Sequence, residues 1–449
     1  MLDNCFFRKI ADIDEKIKRL IISASCFLLI MFELTPIIAL RRGGLDTILS
    51  FLLCFAIIAM SYDGQIRFQK GKRFIFIAAL ILGVAELVSG VMLGVLGYMS
   101  YGMFYVIVPT GLILVVNSKK QIERLMYASS QAMALSFAVL FVLSVFFSPL
   151  GSEQYESILG NPNALGMYAC IGFLGSLYLS VTEKKYRYYV LLGLSFGFIY
   201  FSRSRTSLLL VIGSAAVLLF YVILNRREQK VQFKNVVKCL VTVAASVFIS
   251  FAGISYVNSL VGITNLDTIE KIEAVFDVNI IKTDDDDKPE FSDVLASGID
   301  RSLKGIADDN SFTSGRTAIW VAFLNNIDIG GHASGVIELE GADYNAHNAF
   351  IQVAYSYGIV SGILYLIIAL YMLVVIISQF VKSLKRKHIS FEKCFAAIIY
   401  GSFMVYSTLS AAVSPFSYFI IMEVSLCVLP YIGTDFWSHK SDLLGAKGV

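Results

Sequence analysis

Apolar stretches of bilayer-spanning length recur through most of this chain, and they restrict it to one class of fold. A hydrocarbon core about 30 Å thick takes roughly 17 to 25 apolar residues as a helix. Every backbone N–H and C=O inside it must be satisfied within the protein, so helices are the expected spanning elements. We read twelve spans, at about 20–40, 45–62, 74–97, 103–117, 125–147, 164–181, 188–201, 206–224, 239–257, 351–378, 394–413 and 418–434. The fourth, seventh and twelfth are short or interrupted, and 74–117 leaves room for a re-entrant piece. Only 16% of residues are charged, against about a quarter in a soluble domain, which excludes a soluble globular enzyme. The expected fold is an all-α polytopic membrane protein.

Lysine and arginine placement sets the orientation. Basic residues cluster at Arg8, Lys9, Lys16, Lys18 and Arg19, at Arg67–Arg73, Lys119–Arg124, Lys184–Arg187, 226–238 and 382–393, which is every second connection. That alternation predicts both termini in the cytoplasm of a multi-pass cell-membrane protein. The N-terminal stretch to Arg19 is polar and mixed in charge, so the first span is expected to be an uncleaved anchor. The seven cysteines (Cys5, Cys26, Cys54, Cys170, Cys239, Cys394 and Cys427) fall in spans or on the cytoplasmic side, with no CxxC spacing. Neither an external disulfide nor a thiolate metal site is expected.

Four regions follow: helices one to nine (1–257), a large outer loop with short interfacial helices (258–350), helices ten to twelve (351–434) and a cytoplasmic tail (435–449). Residues 258 to 347 hold 17 of the 34 acidic residues against 6 basic ones. The run Asp284–Asp287 lacks the glycine and spaced carboxylates of a calcium loop and reads as a charged tip. After it, Ser314-Gly315-Arg316-Thr317 leads into Ala318, Ile319, Trp320, Phe323 and Leu324, the pattern of a short amphipathic helix capped by Ser314 or Thr313.

The short outer connections carry arginine in place of lysine: Arg41 and Arg42, then Arg203 and Arg205, with Arg316 a fifth outer arginine in the long loop. A guanidinium offers a planar fork of donors suited to phosphate oxygens. Ser202-Arg203-Ser204-Arg205-Thr206-Ser207 would set two of them and four hydroxyls at a helix N-terminus, where anions are favoured. In Gly160-Asn161-Pro162-Asn163, Asn163 reads as a cap or as an amide for a sugar hydroxyl, with Pro162 stiffening the turn. Carboxylates inside spans (Glu33, Glu86 and Glu423) are either functional or satisfied by neighbouring Ser and Thr. His347 and Asn348 close the long loop where the chain re-enters the membrane. An imidazole there is suited to proton transfer at the surface.

The pattern His347-Asn348, nine residues, Gly358, then Ser361 and Gly362, resembles the signature of the O-antigen ligase and O-antigen polymerase (Wzy-type) superfamily of bacterial membrane glycosyltransferases. Arg205 with Leu209, Ser314–Thr317 with Trp320, and Gly160–Asn163 are similar to further family stretches, so the resemblance runs from about 155 to 380. Ser361 stands where the family commonly has glycine.

The resemblance implies a GT-C-like, inverting, metal-independent transferase without a cofactor, acting on the outer face. Its donor would be an oligosaccharide on undecaprenyl diphosphate and its product an O-antigen, capsule or exopolysaccharide of the cell envelope. His347, Arg205 and Arg316 would be catalytic, and Arg203, Asn348, Asn163 and Arg42 would bind substrate. Partners would be the bilayer, the lipid-linked glycan, and a chain-length regulator and flippase of the same pathway, with no nucleic acid. A repeat-unit polymerase is expected, and an O-antigen ligase is the alternative. A transporter or flippase also has twelve spans with both termini inside, but we see no internal repeat of the kind many transporters carry.

Overall fold

The computed structural model describes residues 9–34, 45–66, 72–147, 155, 157–159, 161–225, 245, 248, 252, 316–339 and 341–409. The twelfth span, all but three residues of the ninth, Arg41 and Arg42, the run Asp284–Asp287, the caps Thr313 and Ser314, and the tail lie outside them. The described helices are α1 (Glu15–Leu34), α2 (Leu45–Ser61), α3 (Arg73–Leu93), α4 (Leu96–Val115), α5 (Lys119–Phe147), α6 (Pro162–Glu183), α7 (Tyr186–Phe201) and α8 (Arg205–Leu224). After the long loop come α9 (Arg316–Asn325), the hairpin β1 (Ile337–Leu339) and β2 (Ala342–Tyr344), α10 (Ala349–Tyr357), α11 (Ile359–Arg386) and α12 (Phe391–Leu409). Among the described residues, six helices are long and apolar enough to cross a membrane: α3, α4, α5, α6, α8 and α11. The protein is an all-α polytopic membrane protein. The hairpin, paired Ile337 to Tyr344 and Leu339 to Ala342, is a small addition to it.

Two expectations change. The stretch 74–117 is a pair of full helices, with no re-entrant piece, and α4 starts at Leu96, several residues before the expected 103. Gly97, Tyr98, Ser100, Tyr101 and Gly102 depress the local hydropathy, which hid the start of the helix. The glycine is there for packing. A Cβ on Gly102 would lie 2.5 Å from the Gly83 carbonyl oxygen, and one on Gly83 would lie 2.7 Å from that of Gly102. Small residues that let backbones approach are the usual means of helix association in lipid. Between the two helices Gly94 takes φ 68°, and the Val95 N–H bonds the Gly90 carbonyl at 3.0 Å, closing α3 with a left-handed cap. The expected tenth span, 351–378, is broken: α10 ends at Tyr357, Gly358 takes φ 89°, and α11 restarts at Ile359.

The chain divides into two compact units, 1–25 with 50–128 and 316–449, and 26–49 with 129–315. In the first, α3 packs against α4 and α11, while α11 and α12 form an antiparallel pair. The Tyr400 hydroxyl donates to the Ala369 carbonyl, and Lys393 Nζ reaches Gln379 Oε1 at 3.4 Å. The ends carrying basic residues are tied by charge. Lys72 is 2% exposed and its ammonium donates to the Ile113 and Val116 carbonyls, so a cation completes the C-terminal end of α4. Arg124 is fully buried and reaches Glu15 Oε1 at 2.6 Å and Asp63 Oδ2 at 2.8 Å, and Lys18 meets Asp63 at 2.8 Å.

In the second unit α6 is buried along most of its length against α5 and α7. Gly172 and Gly175 admit Phe137 and Met133 to a distance that a Cβ would forbid. Phe137, Phe141 and Tyr155 gather around Phe198, ring centres 5.4 to 5.6 Å apart, a tilted and edge-to-face arrangement that aromatic quadrupoles favour.

Candidate active site

The nine residues between Asn348 and Gly358 are one helix. Asn348 is its N-cap, with extended backbone and a side-chain oxygen that accepts the N–H of Phe350 at 3.0 Å and of Ile351 at 3.2 Å. Gly358 ends it because no other residue fits. A Cβ there would sit 2.1 Å from the Ile329 carbonyl oxygen, on top of the positive φ. Gly362 then lets α11 press against Ala354, 2.4 Å from where its Cβ would be. Ser361 is buried and its hydroxyl donates to the Tyr357 carbonyl at 3.3 Å.

His347 sits one residue before that cap, in the left-handed region at φ 47°. For a non-glycine residue this costs on the order of 1–3 kcal/mol and persists where surroundings impose it. The surroundings are visible. The Asn345 side chain accepts the His347 N–H at 3.1 Å, the Trp320 indole donates to the Ala346 carbonyl at 2.8 Å, and Gln352 Oε1 accepts the Ala346 N–H at 2.9 Å. The Asn348 amide donates to the Thr408 carbonyl at 3.2 Å, at the end of α12. Among the described residues the imidazole itself has no hydrogen-bond partner, so its lone pair is available.

Arg316 opens α9 and its guanidinium donates to the Leu409 carbonyl, next to the carbonyl that holds Asn348. Trp320, one turn later on α9, holds Ala346, so a single short helix presents a cation and fixes the peptide before the imidazole. The α9 core is Phe323, packed edge-on to Tyr355 at 4.7 Å. Burial, and secondarily the Arg316 charge, push the His347 pKa below 6.5. A neutral imidazole is therefore favoured at neutral pH, the form that accepts a proton.

The strap 326–336 lies on α10 and on the α3–α4 turn. Its His332 is stacked on Tyr355 at 4.1 Å, takes the Asn326 carbonyl at 2.6 Å through Nε2, and offers its own carbonyl to Tyr98 at 3.0 Å. Ser89 Oγ donates to the Gly330 carbonyl at 2.9 Å. His332 is thus a strut under α10.

In the second unit the serine-arginine cluster differs from expectation. Ser202, Ser204 and Ser207 are buried. Ser202 bonds the Ile199 carbonyl at the end of α7, while Ser207 bonds Ser204 and a Cβ on Gly166 would touch both, so these last two hydroxyls are used where α8 seats on α6. Thr206, Arg203, at φ 50°, and Arg205 are half-buried. The α6 cap is Asn161, which accepts from the N–H of Asn163 and Ala164, while Pro162 takes the first helical position and Asn163 is exposed. Asn161 wins because its extended backbone aims its oxygen at those two N–H groups. Glu86 in α3 is buried, and its Oε2 has no hydrogen-bond partner among the described residues. Three of the expected residues (His347, Asn348 and Arg316) come together in the first unit. Arg203, Arg205 and Asn163 lie in the second, and Arg42 is outside the described residues.

Sequence reading missed Gln352, Trp320 as a donor, and the carbonyl end of α12. The four-residue spacing of Gln352 from Asn348 on a helix was the available signal.

No group of three or more metal-ligating side chains occurs among the described residues. No curated protein and no solved structure matches the chain. A family model described as O-antigen ligase matches residues 190–366, a segment that contains Arg203, α8 with Arg205, α9 with Arg316, His347, α10 and the Gly358 break, and this match supports placing the chain in the O-antigen ligase and polymerase superfamily of membrane glycosyltransferases.

Proposed function

We propose that the chain is a polysaccharide repeat-unit polymerase that transfers a glycan from undecaprenyl diphosphate to a hydroxyl of a second lipid-linked repeat unit, at the outer face of the cell membrane with both termini in the cytoplasm. The observation that carries the reading is the placement of His347, a half-buried imidazole beside Arg316 whose backbone is held by Asn345, Trp320 and Gln352 at the start of a helix that leads into α11.

In the step proposed, the acceptor oxygen attacks the anomeric carbon while His347 takes the hydroxyl proton, and the bond from that carbon to the diphosphate oxygen breaks. The electron pair leaves with undecaprenyl diphosphate. One further negative charge develops on a diphosphate that already carries two, so preorganised cations are the larger contributor, and a positioned base adds about 10² to 10⁴. Arg316 would face that charge. Arg203 and Arg205 keep a proposed role as diphosphate ligands from their chemistry and their place in the matched segment. Asn348 is engaged as a cap, so its proposed part in substrate binding is reduced to holding His347. The exposed amide of Asn163 and the guanidinium of Arg42 remain proposed ligands.

A ligase reading, in which the finished chain would move to a lipid or protein acceptor, is favoured by the matching model's description as O-antigen ligase. Both readings share the donor chemistry. The deciding experiment incubates the purified protein with the lipid-linked repeat unit alone. Longer lipid-linked glycans with release of undecaprenyl diphosphate support the polymerase. Turnover that requires an added non-carrier acceptor supports the ligase, and no release of carrier diphosphate under either condition sinks both.

A further inference from the structure

We infer that Gln352 is a positioning residue for His347, holding the imidazole through the Ala346 peptide. The inference rests on the reading of His347 as the base. Gln352 lies on α10 one turn beyond Asn348, and its own N–H bonds the Asn348 carbonyl at 2.9 Å. Its amide is engaged at both ends. Oε1 accepts the Ala346 N–H at 2.9 Å, and Nε2 donates to the Gly335 carbonyl at 2.7 Å and to Ser356 Oγ at 3.0 Å. A backbone N–H on one side and a backbone carbonyl on the other leave one orientation of the amide.

Ala346 is fully buried, and its two peptide groups are both taken, the N–H by Gln352 and the carbonyl by Trp320. The residue that precedes the left-handed His347 is therefore fixed in translation and in rotation. What remains for His347 is its own side-chain torsions, in a half-buried site. The same glutamine ties the strap to α10 at Gly335, next to β1, so the loop that shapes the outer side of the site and the peptide that carries the base share one side chain. A base displaced by about 1 Å from the acceptor hydroxyl loses about 10²-fold in rate, which is the scale of effect a missing strut produces.

Three variants separate positioning from folding. Gln352→Met keeps size and removes both hydrogen-bond functions. Gln352→Glu keeps the acceptor for Ala346 and introduces a carboxylate near the imidazole, which favours the imidazolium and raises its pKa. Trp320→Phe keeps an aromatic side chain and removes the donor to the Ala346 carbonyl, the other peptide group of the same residue.

The full-length protein in lipid nanodiscs, labelled at histidine Cε1, gives the His347 titration by NMR, its signal assigned by its loss in His347→Ala. With the lipid-linked repeat unit as substrate, the expected results are a fall in kcat of about 10-fold to 10²-fold for Gln352→Met and Trp320→Phe with KM little changed. Gln352→Glu should keep most of kcat at high pH, with its acid limb and the His347 titration both moved to higher pH. Wild-type kcat in Gln352→Met overturns the inference, as does a His347 titration unmoved in Gln352→Glu. The NMR arm stands if Gln352→Met does not fold. Full activity in His347→Ala sinks the base assignment instead, whatever the NMR shows.

Discussion

Arg316 is where the chemistry of the candidate site is most directly testable at the level of a single side chain. Its charge is one of two causes that lower the His347 pKa, burial being the larger. Arg316→Gln removes the cation and leaves the burial, so the His347 pKa moves part of the way back toward 6.5. The acid limb of transfer activity then moves to higher pH, and kcat falls by about 10² to 10³ if the guanidinium faces the leaving diphosphate. A rate fall with an unmoved acid limb would show that Arg316 does not act on His347. Arg205→Lys keeps the charge and loses the fork, so a substantial loss of polymer at normal protein level is expected, and full activity in both Arg205→Lys and Arg205→Ala removes it from the proposed site. At this scale His347, Asn348 and Arg316 were legible because each is a polar residue at a membrane boundary, where the bland explanation is weak. Gln352 was not, since an amide on an amphipathic helix is ordinary until the loop it holds is seen. The hydroxyls of Ser204 and Ser207 were misread for the same reason: sequence shows a cluster of polar groups but not that Gly166 brings a helix against them.

The element that gives the motif its spacing is α10, nine residues and about 14 Å long. It starts at a capping asparagine and stops at a glycine, so the distance from the imidazole to the chain break is set by sequence alone. Gly358→Ala should destabilise the fold by at least about 1–3 kcal/mol, because the positive φ is strained for any side chain and the added methyl meets the Ile329 carbonyl. Gly97→Ala is the matched control in α4. Nothing lies within 4 Å of its Cβ, and replacing a helical glycine by alanine is neutral or stabilising by up to about 1 kcal/mol. Thermal unfolding in detergent separates the two, and equal melting temperatures would refute the close approach of the strap to Gly358. The long helices were legible because apolar length is a strong signal. The break at Gly358 and the early start of α4 were not, since hydropathy averages over a window and both features depend on which backbone lies opposite a glycine.

At the scale of the whole molecule, the first unit sorts its polar groups to opposite helix ends. Lys72 and Arg73 begin α3, Lys119 to Arg124 begin α5, and Lys385 and Arg386 end α11. The strap meets the other end of α3 at Ser89, the start of α4 at Tyr98 and the start of α11 at Ile359, where the Asp328 carbonyl accepts its N–H at 2.9 Å. A helix of 21 residues such as α3 separates these ends by about 31 Å, one hydrocarbon thickness. The buried ion cluster belongs to the basic end. Arg124→Met would leave Glu15 and Asp63 without their main partner, a loss toward the lower part of the 3–5 kcal/mol seen for broken buried pairs, because both carboxylates are partly exposed. Burial raises the Glu15 pKa, but hydrogen bonds from Arg124 and Lys120 outweigh it and hold the pKa at about 2. Its contribution is therefore present above the ordinary carboxylate value of 4.5 and lost as pH falls toward 2. With the basic end proposed to face the cytoplasm, the strap and His347 face outward, and the charge alternation of the sequence gives the same expectation for the acidic loop. A cysteine in place of Asp286, in a background with the seven native cysteines replaced, should react with a membrane-impermeant maleimide on intact spheroplasts. A cysteine in place of Lys185 should react only after lysis. Reversed labelling would turn the protein over, leaving His347 facing the cytoplasm, and the proposed transfer at the outer surface would fall with it.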